Sequence, residues 1–180
     1  ASLVTQVKKN GGVIEQVAAD ISAARVVFDP PVGAETLDAT EMFEHLERHR
    51  TEVVDELVRK YRTIGPLLGK IEEAVAGTNT GKSPQLAEYY AHWESAIFNA
   101  LSDLVMNNLR YFAQMLDRRT RAKTGKHGPG PLFKVIVMLN APDIVVQPSI
   151  KDVAKALKTS CRNVLECAAP FVRCVRETPS

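Results

Sequence analysis

Gly77, Gly81, Lys82 and Ser83, in the string AVAGTNTGKSP (residues 74–84), have the residue types of a phosphate-binding loop. Such a loop reads G-x-x-x-x-G-K-[ST]: its four intervening residues curl so that backbone N–H groups ring the phosphate, and the lysine reaches the outer oxygens. Here three residues (Thr78, Asn79, Thr80) separate the two glycines, and Ala76 stands where the first glycine belongs. The loop must also follow a buried strand and open a helix. What precedes it is LLGKIEEAVAG, with Leu67, Leu68, Ile71 and Val75 at helical spacing. Gly77 then reads as a helix C-cap in the left-handed conformation, and Ser83-Pro84 as an N-cap followed by proline at the first helical position. The string is expected to be a connection between two helices, with no bound nucleotide or other cofactor.

The other candidate groups have weaker spacing. His45 and His49 stand at i and i+4 in HLERH, which suits a zinc pair on one helix face, but Leu46 occupies the place where a metalloprotease carries glutamate. A solvated helix face accounts for them, and no metal ligand set or catalytic group is assigned. Cys161, Cys167 and Cys174, at gaps of six and seven, fit no zinc pattern and read as small apolar fillers or free thiols of a reducing compartment. Arg118, Arg119, Arg121, Lys123, Lys126 and His127 form the basic cluster of DRRTRAKTGKHGPG. They could touch nucleic acid, an acidic membrane or acidic protein tails, but they lack interleaved aromatics and the chain's charge is near balance, so a solvated loop is favoured over a docking contact. The aromatic set Tyr89, Tyr90, Trp93, Phe98, Tyr111 and Phe112 recurs at helical spacing, as interhelical contacts do.

The elements that position these residues are mostly helical. Residues 3–27 hold an amphipathic pattern (Val13, Ile14, Val17, Ala18, Ile21, Ala24) after a Gly11-Gly12 break. Phe28-Asp29-Pro30-Pro31 must be extended. A second helix starts near Thr36 or Thr40 and stops before Gly65-Pro66, and a short one runs from Pro66 to about Ala76. The longest is expected from Pro84 to about Arg118, with Leu86, Tyr90, Trp93, Ile97, Leu101, Leu104, Val105, Leu109, Phe112 and Leu116 along one stripe. At 1.5 Å per residue it measures roughly 50 Å. Tyr90, Trp93, Ile97 and Leu101 are its expected packing residues. Beyond the basic loop, PLFKVIVMLNAPDIVVQPSI alternates as strands do, with Asn140-Ala141-Pro142-Asp143 as the turn. A hairpin packed against helices is expected, then a helix capped by Ser149 and Asp152 and kinked or ended by Pro170.

The fold class is therefore mainly α: an elongated helical bundle with one long helix and a small β-hairpin near residues 132–147. The sections are an N-terminal helix with a proline-linked connection (1–33), a helical bundle (34–119), a basic loop (120–130), and the hairpin with a C-terminal helix (131–180). The 180 residues suit one domain, or one section of something larger, and can bury about 70% of their unfolded surface. A net charge of +2, with 45% hydrophobic and 24% charged residues, implies neither a polyanionic partner nor an unusual class. No apolar run reaches the length of a membrane span, and the opening ASLVTQVKKNGG lacks a signal-peptide core. The absence of an initial methionine suggests a processed chain or an excised segment.

Two stretches resemble a known family. KYRTIGPLLGKIEEAVAGTNTGKSPQLAEYYAHWESAIFNAL (60–101) resembles the stem of axonemal dynein heavy chains, of the outer-arm type, in its order of basic-Tyr start, PLL-led helix, TNTGK-x-P turn and YY-x-x-WE helix. PLFKVIVMLNAPDIVVQPSIKDV (131–153) resembles a segment further along the same stem. Cys174 departs from the pattern, standing where a tryptophan is expected. The resemblance implies a non-catalytic, force-transmitting part of an ATP-driven microtubule motor in the axoneme of cilia and flagella. Its partners would be other stem segments and heavy chains, with intermediate or light chains and docking proteins, and neither nucleic acid nor membrane. None of the family's ATP or microtubule residues has a matching motif here. From the residues alone, a free-standing helical adaptor or protein-interaction domain remains the alternative, separable by the size and location of the native polypeptide.

Overall fold

A computed structural model describes residues 3–31, 33–77, 84–117 and 131–171. They form α1 (Leu3–Ala23), a 3-10 turn (Gly33–Glu35), α2 (Ala39–Tyr61), α3 (Ile64–Ala76), α4 (Pro84–Leu116), strands β1 (Ile136–Asn140) and β2 (Asp143–Gln147), and α5 (Ile150–Leu165). The protein is mainly helical with one small antiparallel hairpin. Its residues group into two compact units. Of the described residues, one comprises 3–24, 54–77, 84–104 and 168–171, the other 25–31, 33–53, 105–117 and 131–167.

The first unit is held by the apolar faces of α1, α3, the end of α2 and the first part of α4. Ile14, Val17 and Ile21 from α1 are buried, with Leu57 and Tyr61 from α2, Ile64, Leu68 and Ile71 from α3, and Trp93, Ile97, Ala100 and Leu104 from α4. Asn10 is a buried polar exception, and its Nδ2 donates to the carbonyl of Leu67 (3.2 Å). The expected break at Gly11-Gly12 does not occur: both glycines lie inside α1. A Cβ on Gly11 would stand 3.2 Å from Cζ2 of Trp93, whereas one on Gly12 would meet nothing within 4 Å. Gly11 is thus a close-approach position that admits the indole, at the usual cost of glycine in a helix, about 1 kcal/mol.

The second unit buries Val26 and Val27 from the extended segment, Ala39, Met42 and Leu46 from α2, Phe112 and Met115 from α4, and Val164 and Cys167 at the end of α5. The lead-in to β1 is tied to the start of α2. Ala39 donates its N–H to the carbonyl of Lys134 (2.9 Å), and Lys134 donates to that of Leu37 (2.8 Å). Phe133 packs on Phe43 with ring centres 5.8 Å apart. In the hairpin, Val137 pairs with Val146 and Leu139 with Ile144.

Several local expectations need correction. Gly77 does follow α3 directly but sits at φ −66°, ψ −12°, a right-handed conformation that needs no glycine. α3 starts at Ile64 rather than Pro66, because proline is tolerated throughout a helix's first turn. α5 ends at Leu165, so Pro170 neither kinks nor stops it. Its start follows the sequence: Ser149 Oγ accepts the N–H of Asp152 (3.1 Å) and donates to that carboxylate (2.6 Å). The hairpin is not packed against helices either. All of β1 is exposed, and in β2 only Val145 and Val146 are half-buried.

Candidate functional site

Aromatic, polar and exposed apolar side chains collect in three places. The first is on α4 in the first unit. Trp93 and Ile97 are buried there, while Tyr90 and Leu101 are half-buried. Trp93 takes Tyr89 and His92 edge-on, at ring separations of 5.9 and 4.8 Å. Tyr90 hydrogen-bonds Glu72, and burial foremost raises its phenol pKa. Trp93, Ile97, Leu101, Tyr61, Leu68 and Phe171 share in lining a cleft of about 480 Å³. At its rim Phe98 is 69% exposed. The lining is apolar with Glu94 and Ser95 as polar members.

The second place is the polar cluster around the extended segment 24–31. Val26 donates its N–H to Asn108 Oδ1 (2.8 Å), and Asn108 is 2% exposed. Removing that carboxamide would strand a buried N–H, a loss of about 1–3 kcal/mol. One turn on, Tyr111 donates its hydroxyl to Asp29 (2.7 Å), and the guanidinium of Arg25 lies over its ring, 3.5 Å from the centroid. Burial first, then the hydrogen bond to Asp29, pushes the Tyr111 phenol to about 12. His45 stacks on Phe28 at 5.3 Å, and His49 faces the same ring at 6.1 Å. A carbonyl can only accept, so His49 Nε2 donates to that of Arg25 (3.0 Å). The histidine pair therefore clamps the extended segment, and among the described residues no group of three or more His, Cys, Asp or Glu is placed to hold a metal. Periodicity could not reveal Asn108, since a polar residue within an apolar stripe breaks the pattern that locates the stripe.

The third is the hairpin. Val137 is 62% exposed, Leu139 79% and Ile144 70%, all on one face. Ile136 and Met138 are exposed on the other. From Ile136 to Gln147 the only ionisable residue is Asp143, beside the turn.

The remaining sequence candidates divide in two. Cys161 and Cys167 are free, 161 half-buried and 167 fully buried, where desolvation raises the thiol pKa. Lys82, Ser83, the basic cluster Arg118, Arg119, Arg121, Lys123, Lys126 and His127, and Cys174 lie outside the described residues. What precedes the GTNTGKS string is nevertheless clear: it is α3, a helix where a phosphate loop requires a strand. No described helix is long and apolar enough to cross a membrane.

The chain is 50% identical over 182 aligned residues to the dynein-1-alpha heavy chain of the flagellar inner arm I1 complex from Chlamydomonas reinhardtii, a match covering 98% of the chain. It is 37% identical over 174 residues to the human dynein axonemal heavy chain 10, covering 96%. In each case it spans 4% of the relative's length. The chain is homologous to a segment of axonemal dynein heavy chains. The outer-arm type expected from sequence is not supported, since the arm named among these relatives is an inner one. No family model matches the chain, and no solved structure matches it.

Proposed function

We propose that this chain is a non-catalytic segment of the stem of an axonemal dynein heavy chain, of the inner-arm type. It works in the axoneme of cilia or flagella, where it packs against the rest of the dynein arm and passes force along it. The observation that carries this reading is 50% identity along 98% of the chain to one short stretch of an inner-arm heavy chain. The described residues add support from their chemistry. Side chains of α1 to α4 are spent on interhelical packing, and close-packed interiors transmit strain with little compression. ATP hydrolysis by such a motor would belong to other parts of the heavy chain, because the GTNTGKS string here is one residue short and follows a helix. Partners on this reading are neighbouring stem segments, other heavy chains of the arm, and intermediate or light chains.

An antibody raised against residues 84–117 tests this on fractionated ciliated cells. A very large polypeptide enriched in axonemes, released by high salt and lost from cells lacking inner arms, is the expected result. A soluble polypeptide of 19.8 kDa absent from axonemes would overturn it and leave a free-standing helical adaptor.

A further inference from the structure

The hairpin is a sheet left unfinished. It has two strands, and among the described residues no third strand pairs with either outer edge; natural edges are normally guarded by lysine, proline, bulges or a covering element. Here Lys134 lies before β1 and Pro142 in the turn, and neither guards the strands. The edge beside Lys134 is occupied by Leu37 and Ala39 for one residue only. The chain then turns into α2, and among the described residues no strand continues along Ile136–Asn140. At that point opens a cleft of about 500 Å³ lined by Asp38, Thr40, Lys134, Ile136 and Gln147 among others.

The surface around it is apolar on both faces. Val137, Leu139 and Ile144 are bare on one face, and Ile136 and Met138 on the other. Contiguous exposed apolar side chains of this kind mark an interaction surface. A segment of this kind, β-branched and nearly free of charge, is an aggregation hazard unless something covers it.

We propose that the hairpin is a docking blade completed by an apolar, strand-bearing segment of the same heavy chain, from outside these 180 residues. That segment adds a strand along β1 beyond Lys134 and sets alternate apolar side chains beside Val137 and Leu139, extending the apolar face they share with Ile144. The near absence of charge on the blade sets the chemistry of the occupant, and main-chain hydrogen bonds along the free edge supply its register. The relatives settle where it is most available: they carry this stretch within chains of which it is 4%, so candidate strands are tethered to the blade. Tethering makes the docking intramolecular, so a free partner must compete against a strand that is always attached. This inference rests on the heavy-chain reading above.

The test places a photo-crosslinking amino acid at Leu139, which is 79% exposed and so tolerates replacement, in the full heavy chain within assembled arms. The expected product is an internal crosslink that leaves the electrophoretic size unchanged and joins Leu139 to a peptide outside this segment. Amide exchange over 136–147 should be at least tenfold slower in the full chain than in the 180-residue protein. A crosslink to a second heavy chain or to another protein of the arm overturns the proposal while leaving the stem reading intact. Absence of any crosslink, with equal exchange in both forms, overturns it as well. If the natural polypeptide is itself only 180 residues long, the stem reading fails first, and the fractionation experiment distinguishes that case.

Discussion

Trp93 and the glycine beneath it illustrate how a single contact fixes a residue choice. Gly11 and Gly12 have the same backbone cost in α1, yet only Gly11 faces the indole. Gly12→Ala should therefore raise stability by about 0.5–1 kcal/mol, the helix-propensity difference between the two residues. Gly11→Val should lower it by about 1–3 kcal/mol, as overpacking does. Urea denaturation followed by circular dichroism measures both, and equal effects at the two positions would refute the close approach. Tyr111 gives a second test, in pH. Its phenol is raised from 10.0 to about 12, so the fold holds the neutral form. Between those values the unfolded chain has lost a proton the native one keeps. The contribution is complete below pH 10 and disappears as the pH climbs through about 12. The ultraviolet absorbance of tyrosinate, wild type minus Tyr111→Phe, should show one phenol titrating near 12. A midpoint near 10 would mean that Asp29 and burial do not act on it.

Among the elements, α5 is the one whose start is written most plainly. Ser149 caps it with Asp152 in return, and Ser149→Ala should cost about 1 kcal/mol, read as a lower melting temperature with unchanged helix content at 25 °C. No change would show that the cap is dispensable. α4 was equally legible, because Trp93, Ile97, Leu104 and Phe112 recur at three-to-four spacing and local periodicity is what a helix face records. The same rule missed Ala100, Asn108 and Met115, which complete the buried line, and included Leu116, which is 41% exposed at the helix end. Periodicity reports which side is apolar, not what stands opposite. Gly11-Gly12 was misread for a related reason: a glycine is a breaker or a berth according to a neighbour some 80 positions away, and no local window contains it. The sequence expectation that α5 would run as far as Pro170 overlooked that a helix can stop earlier, here on the turn after Leu165.

For the whole molecule, the telling mismatch is between a strand pattern and its surroundings. Alternation in residues 133–147 located the hairpin and its turn, but among the described residues no surface buries it. A chain with such a blade should be well folded and poorly behaved at the same time. Substituting Leu139→Lys with Ile144→Glu, opposite charges at a directly paired position, should leave the thermal transition within about 0.5 kcal/mol of the wild type, since neither side chain is buried. The same pair should suppress concentration-dependent light scattering of the 180-residue protein, because charge on an exposed strand opposes edge-to-edge association. Both halves of the outcome matter. A large drop in melting temperature would mean that the hairpin contributes to the core and is not a surface awaiting cover. Unchanged scattering would mean that the apolar blade does not govern association. Together, intact stability and lowered association would separate what folds this chain from what drives its association.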